Sequence, residues 1–291
     1  MTTTTNEADP AKPATPDHAS VAEARMTFVE HLAELRLRLR NAALIFLVAV
    51  GVSFYFVKQY FDVLTRPARA AWVVALAGQE PVFRFASPTE PFWVYTKLAM
   101  YGALLVASPA VFWELWRFVA PGLYKKEKRM ALVVTGATAI CFIGGALFGY
   151  FVLCKPALTY MLSFAEIFPG TMPFKIEPAV MMDEVVGFML AMLLGTGVAF
   201  ELPVILSVMG WLGIVNARAL WRFNKYALIL SAVVGGILTP GPDVLSQVLM
   251  AGPLFGLYNV SILLVWMIER GARRRLEALA KETGADLVPR G

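Results

Sequence analysis

Six stretches of the chain are apolar along nearly their whole length: residues 41–57, 92–112, 130–153, 185–212, 226–238 and 244–268. Polar segments rich in charge, proline and glycine separate them. Each apolar stretch is expected to be helical, because a backbone in lipid has to satisfy its own hydrogen bonds. The fifth stretch is the odd one. Its thirteen residues make about 20 Å of helix against a hydrocarbon thickness of about 30 Å. It is halted by "TPGPD" at 239–243, so it has to sit behind other helices or pinch the bilayer.

Composition agrees with the pattern. A chain of 291 residues with 58% hydrophobic content and a mean hydropathy of +0.63 is too apolar to hide its side chains in a soluble core, and reads as an all-α, polytopic membrane protein. An even number of spans puts both termini on one side. Arginines and lysines identify that side: the terminal segments and the two loops on their side hold nineteen, while the three opposite loops hold six. Positive residues mark the cytoplasm, so both termini are expected inside. The sequence pI of about 9.2 then reports topology rather than nucleic-acid binding.

Residues 1–25 are rich in Thr, Ala, Pro and Asp and are expected to form a solvated, disordered cytoplasmic tail. Residues 26–268 form the membrane domain, 269–286 a basic cytoplasmic tail, and "LVPRG" at 287–291 resembles a protease-site scar. The first span is not expected to be a cleaved signal peptide, since a long polar segment precedes it and no small-residue site follows. The two cysteines, Cys141 and Cys154, lie about 20 Å apart if the helix between them is continuous, beyond disulfide reach.

The segment "FVEHLAELRLRLR" at 28–40 stands directly before the first span. At 100° per residue Phe28, Leu32, Leu35 and Leu39 fall on one stripe, with Glu30 and Glu34 opposite, so an amphipathic helix is expected. Its stripe can rest on the membrane surface or on neighbouring spans, with the acidic face toward the cytoplasm. Taken alone, Glu34 also has a plain partner in Arg38, four residues on. Ser87 and Thr89, ahead of the second span, are plausible helix caps.

Two charges fall within or close to apolar spans, where an uncompensated one costs on the order of 3 kcal/mol. Lys97 can snorkel toward the outer surface. Glu201 lies deep in the fourth stretch, just before Pro203, which bends a helix. It is either a polar contact inside the membrane or a neutral carboxyl bonded to a neighbouring helix. "GALFG" at 145–149 and "GPLFG" at 252–256 match a small-residue spacing for which intramolecular packing is the favoured explanation. No phosphate-cradling loop, HExxH or GxSxG is present, no metal site or cofactor is expected, and an enzyme is not indicated.

Five motifs in order, "HLAELRLRL", "FASPTEPF", "WRFVAPGLYKKEKR", "FELPV" and "LTPGPDVLSQ", resemble the TatC family, the polytopic receptor subunit of the twin-arginine protein translocase. The resemblance covers residues 26–268. It implies a concave bundle with short fifth and sixth helices in the bacterial cytoplasmic (inner) membrane, driven by the proton-motive force. It also implies single-span TatA- and TatB-type partners, assembly of several copies within a larger complex, and folded cargo carrying a signal peptide with two consecutive arginines. By the family's pattern, Glu34 and Glu127 match the carboxylates that hold that arginine pair; a planar guanidinium suits a carboxylate in a way that lysine does not. Arg36 and its basic neighbours keep both glutamates ionised. Phe118 takes the apolar residues that follow the arginines, and Glu201 is the polar contact for a partner helix. One departure is visible: Glu127 is followed by Lys128, with Arg129 one place later, where the family often has Glu-Arg. The competing expectation is a proton-coupled secondary transporter of a small solute, for which an internal repeat is the usual mark; none is visible here.

Overall fold

The computed structural model describes residues 18–76, 81–119, 128–164, 179–238 and 244–283. These residues are helical throughout, apart from short connections and one bridge pairing Arg84 with Met181. In chain order the helices are α1 (His18–Tyr55), α2 (Val57–Ala75), α3 (Glu90–Val119), α4 (Lys128–Phe148), α5 (Lys155–Ser163), α6 (Met182–Ala199), α7 (Leu202–Trp211), α8 (Ala217–Leu238) and α9 (Val244–Thr283), with a π-helical turn, Gly149–Cys154, joining α4 to α5. The all-α reading holds. Five helical stretches among the described residues are long and apolar enough to cross a membrane: Leu32–Tyr55, Glu90–Phe118, Leu132–Ser163, Met182–Trp211 and Gln247–Lys281.

The fifth apolar stretch lies inside α8, a helix of 22 residues. Its first turns carry Arg218, Arg222 and Lys225, so its apolar part is as brief as the sequence reads. The expectation of a short sixth helix is corrected: α9 runs for 40 residues. Charge ends the apolar part of α9 at Ile268 but not its backbone hydrogen bonding, because arginine, glutamate, alanine and leucine are all good helix formers. For the same reason α1 already starts at His18, within the stretch read as tail; residues 1–17 and 284–291 lie outside the described residues.

α2 was not foreseen. Its apolar residues are spaced so that Leu64, Ala68, Ala71, Trp72 and Ala75 form one buried stripe, while its opposite face carries charge, so the segment falls short of a spanning pattern. Asp62 on that face receives Arg66 at 3.0 Å and Arg69 at 2.7 Å, and these guanidiniums hold its carboxyl below the usual carboxylate range. Pro67 inside α2 cannot donate to the carbonyl of Val63 four residues back. That carbonyl instead accepts the Tyr150 hydroxyl, from the π-helical turn, at 2.6 Å. Pro109 in α3 strands Leu105 in the same way, and the Ser108 hydroxyl fills the vacancy at 2.8 Å.

The buried centre is α6, where Val186, Met189 and Met192 are at most 1% exposed. α3 reaches it through the Tyr101 hydroxyl, which donates to the Leu190 carbonyl, and Cys154, a free thiol, lies against the Met192 sulfur. The end of α6 nearest α2 is tied down by a polar knot. Glu90, the first residue of α3, accepts the N–H groups of Ala86 at 2.6 Å and Asp183 at 3.0 Å. Lys97 does not snorkel alone: its Nζ meets the Asp183 carboxylate at 2.6 Å. Ser87 and Thr89 bond to each other at 2.9 Å just before α3. An apolar hollow of about 660 Å³ opens between α2, α3, α4 and α6, lined among others by Tyr60, Leu98, Pro109 and Leu193.

The two small-residue motifs part company. A Cβ on Gly145 would come within 2.5 Å of the Thr196 carbonyl and 2.8 Å of Phe200, and one on Gly149 would strike the Thr196 hydroxyl. Here glycine is what lets α4 lie against α6. Around Gly252 and Gly256 nothing among the described residues lies within 4 Å of such a Cβ, which corrects the expectation that both motifs serve packing within the chain. Gly145→Ala, whose new methyl meets backbone, is therefore expected to destabilise the purified protein by about 1–3 kcal/mol, while Gly252→Ala leaves stability unchanged or slightly raised; thermal melts of both variants in one detergent check this.

Candidate functional site

α1 carries Glu34, Arg36 and Arg38 to the end of the bundle where α3 finishes with Glu114 and Phe118. Residues four apart share a helix face, and Arg38 Nη2 donates to Glu34 Oε1 at 3.1 Å. The other arm of the same guanidinium, Nη1, donates across the helix interface to Glu114 Oε2 at 3.1 Å. The Arg38 and Glu114 side chains retain 14% and 12% exposure, whereas Glu34 retains 32%. One arginine is thus forked between two carboxylates, one nearly buried and one open to solvent.

Of the two places expected for the apolar stripe of α1, the structure excludes the neighbouring spans for its leucines. Leu32, Leu35 and Leu39 are exposed, so the apolar stripe faces outward, and Glu34 sits on the side that Arg38 links to α3. Charge-assisted hydrogen bonds to a fixed partner outweigh the free choice an amphipathic segment has in isolation. Arg36 and Arg40 are exposed, and Phe118 is half-buried on the last turn of α3. Indole Nε1 of Trp116 donates to the Thr138 hydroxyl at 2.9 Å, fixing that turn against α4. Glu127 lies outside the described residues, immediately before Lys128, where α4 begins. The structure therefore brings Glu34 and Phe118 to one end of the bundle, adds Glu114, and leaves Glu127 unplaced.

Sequence reasoning missed Glu114. The available signal was a carboxylate on the final turns of an apolar helix, which requires a cation, together with a surplus of arginines in 36–40.

The second candidate, Glu201, occupies the junction between α6 and α7. There the chain makes a tight turn: Glu201 N–H donates to the Val198 carbonyl and Ile205 N–H returns to the Glu201 carbonyl. Pro203 stands in the first turn of α7, where its missing N–H costs nothing. The carboxyl is buried at 7% exposure, and neither oxygen has a hydrogen-bond partner among the described residues. The Phe148 ring of α4 packs on Phe200 beside it, centroids 5.4 Å apart. Val198 and Ile205, about one turn to either side, are exposed at 56% and 45%. A partnerless acid thus lies just beneath an apolar strip on the outside of the bundle. Among the described residues no group of His, Cys, Asp and Glu is arranged to hold a metal ion.

Residues 30–253 match the family model described as Sec-independent protein translocase protein (TatC). Among curated relatives, the Sec-independent protein translocase protein TatC of Koribacter versatilis is 33% identical over 260 residues, covering 89% of this chain and 92% of that protein. The protein of the same description from Aquifex aeolicus is 35% identical over 239 residues, covering 82% and 94%. A crystal structure described as the twin arginine translocase receptor TatC superposes with a TM-score of 0.70 at 33% identity, covering 82% of this chain and 99% of that one. The chain therefore belongs to the TatC family, multi-pass membrane components of a protein translocase with no enzymatic activity of their own.

Proposed function

We propose that this protein is the cargo-recognising subunit of a twin-arginine translocase, and that Glu34 is one of two carboxylates that read the arginine pair of a signal peptide. The observation that supports the reading is the fork at Arg38. Glu34 is partly open to solvent and already engages a guanidinium at 3.1 Å, the chemical group that the cargo would present. Because Glu114 holds the other arm of Arg38, a cargo arginine can take over Glu34 without leaving Arg38 unpaired. The fork holds two carboxylates against one guanidinium, so a cargo arginine completes its charge balance, which limits the cost of desolvation. Glu127 supplies the second carboxylate, Arg36 keeps Glu34 ionised, and Phe118 receives the apolar residues that follow.

In this reading the Glu34 end faces the cytoplasm of a bacterium, both termini lie there, α8 is the fifth of six spans, and the apolar part of the signal enters along the hollow beside α3. Single-span TatA- and TatB-type subunits assemble on the bundle, and several copies work together to move folded cargo at the expense of the proton-motive force. A partner helix lying along Val198 and Ile205 passes directly over Glu201, whose unpartnered oxygens suit a polar group on that helix. The brief apolar part of α8 thins the bilayer where cargo passes.

Loss of a charge-assisted hydrogen bond is worth about 1.5–3 kcal/mol, so Glu34→Gln is expected to weaken binding of a twin-arginine peptide by about tenfold or more. Titration of the purified protein with a labelled peptide measures it. Unchanged affinity, or equal affinity for a lysine-lysine peptide, contradicts the assignment. For the intramembrane site, photocrosslinks from position 198 or 205 to a partner helix should weaken with Glu201→Ala and persist with Glu201→Gln. Crosslinks indifferent to both would leave Glu201 a purely internal role.

A further inference from the structure

Where α8 begins and α9 leaves its apolar part, the two helices form a cup of about 810 Å³. Its walls are fixed by two bonds between the helices. The Glu269 carboxylate accepts the N–H of Ala217, the first residue of α8, at 2.8 Å, and the Tyr258 hydroxyl donates to the Leu220 carbonyl at 2.8 Å. Three guanidiniums line the rim, Arg218, Arg270 and Arg273. None of the three forms an ion pair among the described residues, and the only carboxylate in the lining, Glu269, is engaged with α8.

The lower wall is of the opposite kind. Trp221, Trp266 and Leu263 line it and are 64%, 45% and 54% exposed, so they present apolar surface that calls for an apolar cover. Arg270 stacks over the Trp266 ring at 5.1 Å, which orients its guanidinium beside the aromatic wall. Tryptophans at this level, with the apolar part of α8 starting at Tyr226 and that of α9 ending at Ile268, locate the border between hydrocarbon and headgroups. A ligand for the cup has to be anionic at one end and apolar at the other.

We propose that the cup is a binding site for an anionic phospholipid. Its phosphate is held by Arg218, Arg270 and Arg273, and its acyl chains run down over Trp221, Trp266 and Leu263. Basic pockets between spanning helices take such headgroups because phosphate accepts the planar donor fork of arginine, while the chains remain in the bilayer. A bound lipid would seal the open side of the α8–α9 hairpin.

Native mass spectrometry of the full chain, equilibrated in nonionic detergent with equimolar phosphatidylglycerol and phosphatidylcholine of the same acyl chains, tests the proposal. The wild type should retain the glycerol lipid at least about tenfold over the choline lipid. R218Q/R270Q/R273Q should lose that preference. R274Q/R275Q/K281Q removes equal charge from exposed positions outside the cup and should keep it. The six substituted residues are all exposed, and a matching circular dichroism spectrum for each variant confirms that it is folded. Equal retention of both lipids, or equal loss in both triple variants, would overturn the site in favour of diffuse attraction. Displacement of the lipid by inorganic phosphate at constant ionic strength would also overturn it, in favour of a free-phosphate site.

Discussion

The position of the first span depends on one arginine. In the span Leu32–Tyr55 only 6% of the residues of its most apolar window are fully buried, and it lies chiefly along α3. Non-specific apolar contact does little to fix two helices in lipid, since the tails are as apolar as the side chains. The fork from Arg38 to Glu34 and Glu114 supplies direction and register. It also places a half-open carboxylate at the border of the bundle, so the bond that anchors α1 and the group proposed to read cargo are parts of one unit.

The rest of the bundle uses the same economy of polar groups. Carbonyls stranded by Pro67 and Pro109 find hydroxyls from Tyr150 and Ser108. The start of α6 is knotted to α3 through Glu90, Asp183 and Lys97. Some buried polar atoms stay without a partner among the described residues, Trp72 Nε1 and the Thr135 hydroxyl among them, and Glu201 differs from these in being a carboxyl with both oxygens unpartnered. Its carboxyl is buried, beneath exposed Val198 and Ile205, over which another helix can pass.

Much of this was legible in the sequence. Apolar stretches of membrane length announced the helices, "FELPV" announced a break in the fourth stretch, and the motifs of the amino-terminal segment pointed to Glu34. What stayed hidden depended on contacts between distant residues. α2 has too polar a face to register as a span, and only its neighbours reveal its buried stripe. The link between Lys97 and Asp183 joins residues 86 apart, and Glu114 gains significance only beside Arg38. "GALFG" and "GPLFG" have the same spacing, yet Gly145 and Gly149 are pressed against α6 while Gly252 and Gly256 face open space; spacing alone carries no information about what lies opposite. The family resemblance was legible too, and membership in the TatC family leaves the solute-transport alternative without support.

A double-mutant cycle probes the central claim, that Glu34 trades its internal guanidinium for one from the cargo. Glu34→Gln is combined with replacement of each peptide arginine by lysine in turn, and all affinities are measured by one method. The account predicts that one of the two arginines is coupled to Glu34 by about 0.5–3 kcal/mol, with the other insensitive to it. Strict additivity at both peptide positions would mean that Glu34 touches neither arginine, and would contradict the account.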